Sequence, residues 1–179
     1  MSASKGGRRI QCPGCGALVK DIPGKPHKYI GANAGCWEIY GEILAKEYGA
    51  YGYPALIHHL TVDTYAVQHP GEACRQAVQS VNVHLASLYL ILEREWNGPQ
   101  ASQAMAKLIE RAGEFVWLTP PDPNGHITVL EVVQARNLEE HRRLVKAWAE
   151  DVWAAWAEHH HHVQSVIHQC LEGNISCRI

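Results

Sequence analysis

Residues 11–35 carry Gly14, Gly16, Pro23, Gly24, Pro26, Gly31 and Gly35, and no helical or strand period survives among them. A structureless stretch of ~25 residues is uncommon inside a compact domain unless something ties it down. The same stretch offers the tie. Cys12-Pro-Gly-Cys15 is a Cys-x-x-Cys turn that can aim two thiolates at one cation. Cys36 follows at the expected start of a helix, where the helix dipole favours a thiolate. Tetrahedral zinc takes four such ligands, at ~2.3 Å for sulfur and ~2.0 Å for nitrogen. The second Cys-x-x-Cys pair of a zinc ribbon is missing, which leaves His27, His58, His69 and Cys74 as candidates for the fourth place. Two other readings of the turn compete with metal. One is a thioredoxin-type redox pair, which wants a βαβ setting this chain lacks. The other is a glycine-rich loop with incidental cysteines.

From Cys36 onward the texture is helical. Trp37, Ile39, Tyr40, Ile43, Leu44 and Tyr48 recur at helical spacing before Gly49. Residues 55–69 carry one apolar stripe, Leu56, Leu60, Val62, Tyr65 and Ala66, ended by Pro70 and Gly71. Residues 72–96 are apolar on most sides, from Val78 to Leu92, which predicts the central buried helix. Asn97-Gly98-Pro99 breaks it, and residues 100–114 form a shorter amphipathic helix. Beyond a loop at 119–126, Thr128 and Glu131 have the spacing of a capping box. Residues 139–171 predict one long helix with Trp148, Val152, Trp156, Val163 and Ile167 on its apolar face, closed by Gly173. The sum is an all-α fold, a bundle of five to six helices with an irregular N-terminal metal-binding lobe. Residues 1–10 read as a flexible basic tail, 11–173 as a single domain and 174–179 as a C-terminal tail.

The chain of 179 residues, 46% hydrophobic, is long enough for one domain with a real core and too apolar for disorder. Lys and Arg number 16 against 18 Asp and Glu, a balance that argues against a nucleic-acid partner held by phosphate contacts. No apolar run reaches the ~18 residues a membrane helix needs. The first ten residues lack the apolar core of a signal peptide, so a cytoplasmic protein is expected. In a reducing compartment, 6 Cys and 12 His point toward metal rather than disulfides.

The histidines divide among the helices. His58 and His69 share a face but stand about 16 Å apart along the axis, so one ion cannot take both. His59 and Asp63 are spaced i,i+4, as a surface ion pair or as a carboxylate orienting a ligand histidine. His84 lies in the most apolar segment and needs partners for both ring nitrogens; Ser80 and Ser87 can supply one. In the run His159–His162, successive residues step ~100° around a helix, so His159 or His160 continues the Trp face and the others meet solvent. Trp148, Trp153 and Trp156 fit core packing, or the cage of a ligand. Glu158 and His161 make one Glu-x-x-His, where a di-iron bundle needs two. There is no His-Glu-x-x-His, nucleotide loop or Gly-x-Ser-x-Gly.

The stretches CPGCG, GCWEIYGEILAKEY, HHLTVDTYAVQHPG, QSVNVHLASLYLILE and WAAWAEHH together resemble a bacterial family known only as a domain of unknown function. The resemblance spans residues 11–168 and implies polar signature positions at Cys12, Cys15, Cys36, His58, Asp63, Gln68, His69, His84 and the His159/His160 pair. It implies no activity. An economical arrangement puts this set at one end of the bundle. Cys12, Cys15 and Cys36 bind Zn2+ with His69 as fourth ligand, and His58, His84 and His160, with Asp63, line a nearby polar pocket or a second metal site. Three functions compete. The first is a zinc-binding helical protein with a closed Cys3His site beside the pocket. The second is a metal-dependent hydrolase or transferase with a three-His site, His58, Asp63 and His84 being its catalytic candidates. The third is a thiol-based metal or redox sensor. The expected partner is a small-molecule ligand in a His/Trp-lined pocket, with no nucleic acid and no membrane; a homo-oligomer is compatible with all three.

Overall fold

The computed structural model of the chain describes residues 7–171. The expected tail at 1–6, the closing Gly173 and the tail at 174–179 lie outside the described residues. Strand β1 (Arg9–Gln11) pairs antiparallel with β2 (Leu18–Lys20), Arg9 opposite Lys20 and Ile10 opposite Val19. Tail and loop were the expectation here, because three residues per strand are too few for an alternation to show. Val19 is buried and Leu18 exposed, as successive strand positions require. The Cys-Pro-Gly-Cys turn is therefore the tip of a hairpin. Cys12 N–H donates to the Ala17 carbonyl (2.8 Å) and Gly16 N–H to the Cys12 carbonyl (2.9 Å). Gly16 has φ +73°, a left-handed position that glycine takes without strain.

Six long helices and one short one follow: α1 (Ala34–Tyr48), α2 (Ala55–Gln68), α3 (Arg75–Leu92), α4 (Gly98–Glu110), the short α5 (Val129–Val132), α6 (Leu138–Ala155) and α7 (His160–Leu171). Asn33, Asn97, Thr128 and Asn137 cap α1, α4, α5 and α6 with side-chain acceptors, and the Thr128–Glu131 capping box forms as its spacing suggests. The central position expected for residues 72–96 is shared by two helices. α2 packs against both α3 and α6, and its last half, Leu60 to Gln68, is buried at every position but Val62. Leu56, expected on the apolar stripe, is exposed because burial of α2 starts only at Leu60.

The single helix expected over 139–171 is two helices. α6 ends at Ala155, and a 3-10 turn at Ala157–His159 leads into α7. The turn is where side chains bind other parts of the chain. Trp156 is fully buried and its ring N–H donates to Asn124 Oδ1 (2.8 Å). His159 Nε2–H donates to the Thr119 carbonyl (2.8 Å), and His160 Nε2–H to the Trp153 carbonyl (2.9 Å). The Trp148 ring N–H donates to Gln68 Oε1 (2.9 Å), while Gln68 Nε2 donates to the carbonyls of Asn124 (3.0 Å) and Ile127 (2.8 Å). With their ring N–H groups so occupied, Trp148 and Trp156 are core residues and not a ligand cage.

Candidate metal centre

Four ligand atoms converge where the hairpin, the start of α1 and the end of α2 meet. Cys12, Cys15 and Cys36 Sγ and a ring nitrogen of His69 all lie within 4.8 Å of one another. Cys15 Sγ and Cys36 Sγ are 3.9 Å apart, and Cys36 Sγ is 3.4 Å from His69 Nε2. Ligands on a tetrahedron of zinc-like bond lengths would stand about 3.8 Å apart for two sulfurs and about 3.5 Å for sulfur and nitrogen. Of the four candidates for the last ligand, His69 is the one brought in. His27 packs edge-on against Tyr29, and Cys74 is exposed at the start of α3.

Each ligand is held by local structure. Cys12 and Cys15 ride on the hairpin tip. Gly14 between them lets the backbone come close, since a Cβ there would stand 2.6 Å from His69 Cδ2 and 2.9 Å from the Gln68 carbonyl. Cys36 sits in the first turn of α1, its N–H donating to the Asn33 cap (2.9 Å), so its sulfur is at the positive end of the helix. His69 ends α2 and is strapped from outside. Gly31 N–H donates to the His69 carbonyl (2.9 Å), Gly71 N–H to the Tyr29 carbonyl (3.1 Å), and Ile30 bridges Pro70. The irregular segment is thus tied to the bundle beside the cluster.

The donor set suits a cation. His69 Nδ1–H donates to the Tyr65 carbonyl (2.8 Å), which accepts only, so the Nε2 lone pair of the neutral ring faces the sulfurs. The Tyr65 ring stacks on His69 at 4.0 Å and its O–H donates to Cys36 Sγ (3.7 Å). Hydrogen bonds from Cys15, then Cys36, drive the Cys12 thiol far down, while its bond to Cys12 pushes Cys15 up to about 12. Cys36 is raised as well, by Cys12 first and then by Cys15. The crowded sulfurs oppose ionisation of the whole set, which a metal dication would relieve. The cluster can hold a metal ion.

The remaining predicted residues do not assemble into a three-histidine site. Among the described residues no second set of three or more Cys, His, Asp or Glu side chains brings all its ligand atoms within 4.8 Å of one another. His58 turns toward α1, where its Nδ1–H donates to Glu47 Oε2 (2.7 Å). His84 turns toward α2 and donates from Nδ1 to Asp63 Oδ1 (2.7 Å). His160 stacks on Trp153 at 3.7 Å. Asp63 is not the partner of His59, whose Nε2 instead meets Ser102 Oγ at 3.4 Å. Ser87 reaches His84 only indirectly, by donating to Asp63 Oδ2 (2.5 Å). Of the late histidines, His159 and His160 are both half-buried and His161 is exposed; His162, expected in solvent, is half-buried.

Sequence reasoning missed Glu47 and His141. Glu47 is fully buried, and its Oε1 accepts from His141 Nε2–H (2.8 Å) and Thr61 Oγ1 (2.6 Å). The signal was present, because Glu47 continues the face of Cys36, Tyr40 and Ile43 at helical spacing. Burial pushes the Glu47 carboxyl up, but the bonds from His141, Thr61 and His58 together outweigh it and hold it below the usual carboxylate range.

No curated protein and no solved structure matches the chain. A family match spans residues 10–157, which takes in all four residues of the cluster together with Glu47, His58, Asp63, His84 and His141, and leaves His160 outside. The chain belongs to DUF5946, a family of unknown function.

Proposed function

We propose that this is a zinc-stabilised helical protein, in which a closed Cys3His centre shapes a neighbouring pocket that contains His84. The observation that carries this reading is the convergence of three sulfurs with an imidazole lone pair within 4.8 Å. Thiolate and imidazole donors select zinc over hard cations, and four protein ligands fill a tetrahedron with no place left for a catalytic water. The ion would cross-link the hairpin, α1 and α2, and so fix the irregular segment that gains little from its own packing. Three free thiols in contact fit a reducing compartment, and we place the protein in the cytoplasm.

Metal content per chain tests the reading. One zinc is expected in the wild type, none in Cys12→Ser or His69→Ala, and one in His84→Met. With free zinc a thousandfold above its dissociation constant, binding adds ~4.1 kcal/mol to stability. Chelation should therefore lower the denaturation midpoint sharply. A folded wild type that holds no metal overturns the proposal. A sensor function has one observation in its favour: Cys15 is half-exposed while its three partners are buried. Zinc released by peroxide and regained on thiol treatment would support it, and an inert site would dismiss it.

A further inference from the structure

Asp63 on α2 is buried, and both of its oxygens are engaged from α3: Oδ1 accepts from His84 Nδ1–H at 2.7 Å and Oδ2 from Ser87 Oγ at 2.5 Å. A carboxylate that accepts at Nδ1 fixes a proton there, so in the neutral ring the Nε2 lone pair points away from Asp63. Among the described residues nothing hydrogen-bonds to Nε2, and the side chain remains 23% exposed. It opens on two cavities, of about 300 and 150 Å³, which share Tyr29, Ser80 and His84. Rings of Trp37, Tyr40 and Tyr65 wall the smaller one, and the larger adds Gln76 and Gln79. No Lys, Arg, Asp or Glu lines either.

That chemistry selects an occupant. An anion would meet no fixed cation, and a cation would find no carboxylate, since Asp63 is buried behind His84 and lines neither cavity. Aromatic walls favour a flat ring, and a cavity of ~150 Å³ suffices for one of benzene size. The free lone pair calls for an O–H or N–H donor. We propose that the His84 cavities bind a small uncharged aromatic ring carrying an O–H or N–H group, of the phenol or azole class, which donates to His84 Nε2. His84 is the contact residue; Asp63 and Ser87 are positioning residues. The inference rests on the zinc reading in one respect: the strap bearing Tyr29 and Ile30 walls the site and is tied down beside the metal cluster.

The test titrates the full, zinc-loaded chain with phenol, anisole, benzoate and tetramethylammonium while the side-chain nitrogens of 15N-labelled histidine are followed. Anisole keeps the ring and lacks the donor. Phenol should bind about tenfold more tightly than anisole, the worth of one hydrogen bond in a partly dry site. The His84 Nε2 resonance should move with phenol and stay put with anisole, and His84→Met should erase the difference in affinity. Equal affinity for phenol and anisole, or tighter binding of benzoate or tetramethylammonium, overturns the proposal. Should His84→Met fail to fold, the wild-type resonance decides: no shift at saturating phenol also overturns it. Zinc measured on the same samples separates the two readings. A zinc-loaded chain that ignores phenol refutes the cavity proposal alone, and a zinc-free folded chain that binds phenol refutes only the metal one.

Discussion

Glu47 and Asp63 are both buried carboxylates that accept from imidazoles at 2.7–2.8 Å, yet their surroundings differ. Glu47 gathers donors from two other helices, His58 and Thr61 on α2 and His141 on α6, and His141 is as deeply buried as Glu47 itself. Asp63 takes both donors from α3, and the outer nitrogen of His84 stays open to a cavity. The same pairing is a clamp where the unpartnered ring nitrogen, His141 Nδ1, is shut inside the core, and a site where it faces a cavity, as at His84. A perturbation at Glu47 should register in folding, and one at the far side of His84 in ligand binding.

The largest effect is expected from Glu47→Ala. It leaves two imidazoles and the Thr61 hydroxyl without their acceptor in the interior, and breaking a buried pair of this kind costs about 3–5 kcal/mol. Asp63→Ala should cost less, ~1–3 kcal/mol, because His84 can turn to water in the cavity. Urea denaturation of both variants, metal-loaded, measures the gap. Equal losses would break the comparison, since they would make the Asp63–His84 pair a second clamp.

Acid should sharpen the contrast. The folded-state pKa of Glu47 is depressed, so its contribution is fully present above the unfolded value, near 4.5, and is lost as pH falls through the folded value. Below both values the carboxyl is protonated in either state and the contribution is gone. Subtracting the urea midpoint of Glu47→Gln from that of the wild type between pH 6 and pH 3 isolates this effect from acid loss of metal, which both chains share. The difference should shrink below about pH 4.5. A difference independent of pH would show that Glu47 acts by packing alone.

The metal cluster was more legible than either pair, for a physical reason. Three of its ligands announce themselves locally, two within one turn and one at a helix start. His69 was only one candidate among four, because what singles it out is the strap from Gly31, and a contact between distant residues leaves no mark on local spacing. Helical periodicity says which face a residue occupies, not which helix that face meets. His58 and His84 were therefore recognisable as buried-side polar residues, while their separation, toward Glu47 and toward Asp63, was not. Glu47 itself continues the apolar stripe of α1 and could have been noticed there. The break at Trp156 was hidden because three residues of 3-10 helix shift the phase by only about 60°, too little to scramble the apolar pattern on either side.

The smallest effect, and the most discriminating, is expected from His84→Gln. The glutamine amide can still donate to Asp63 Oδ1, so the buried carboxylate keeps a partner from each of positions 84 and 87. What changes is the group offered to the cavity, which holds no other part of the core together. Its cost in stability should stay below ~1 kcal/mol, as for a partly exposed substitution that orphans nothing. A loss of 3 kcal/mol or more, of the size expected for breaking a buried pair, would mean that the imidazole is itself part of the packing. The open nitrogen would then be incidental to a structural role, and the distinction between clamp and site would fail at its own centre.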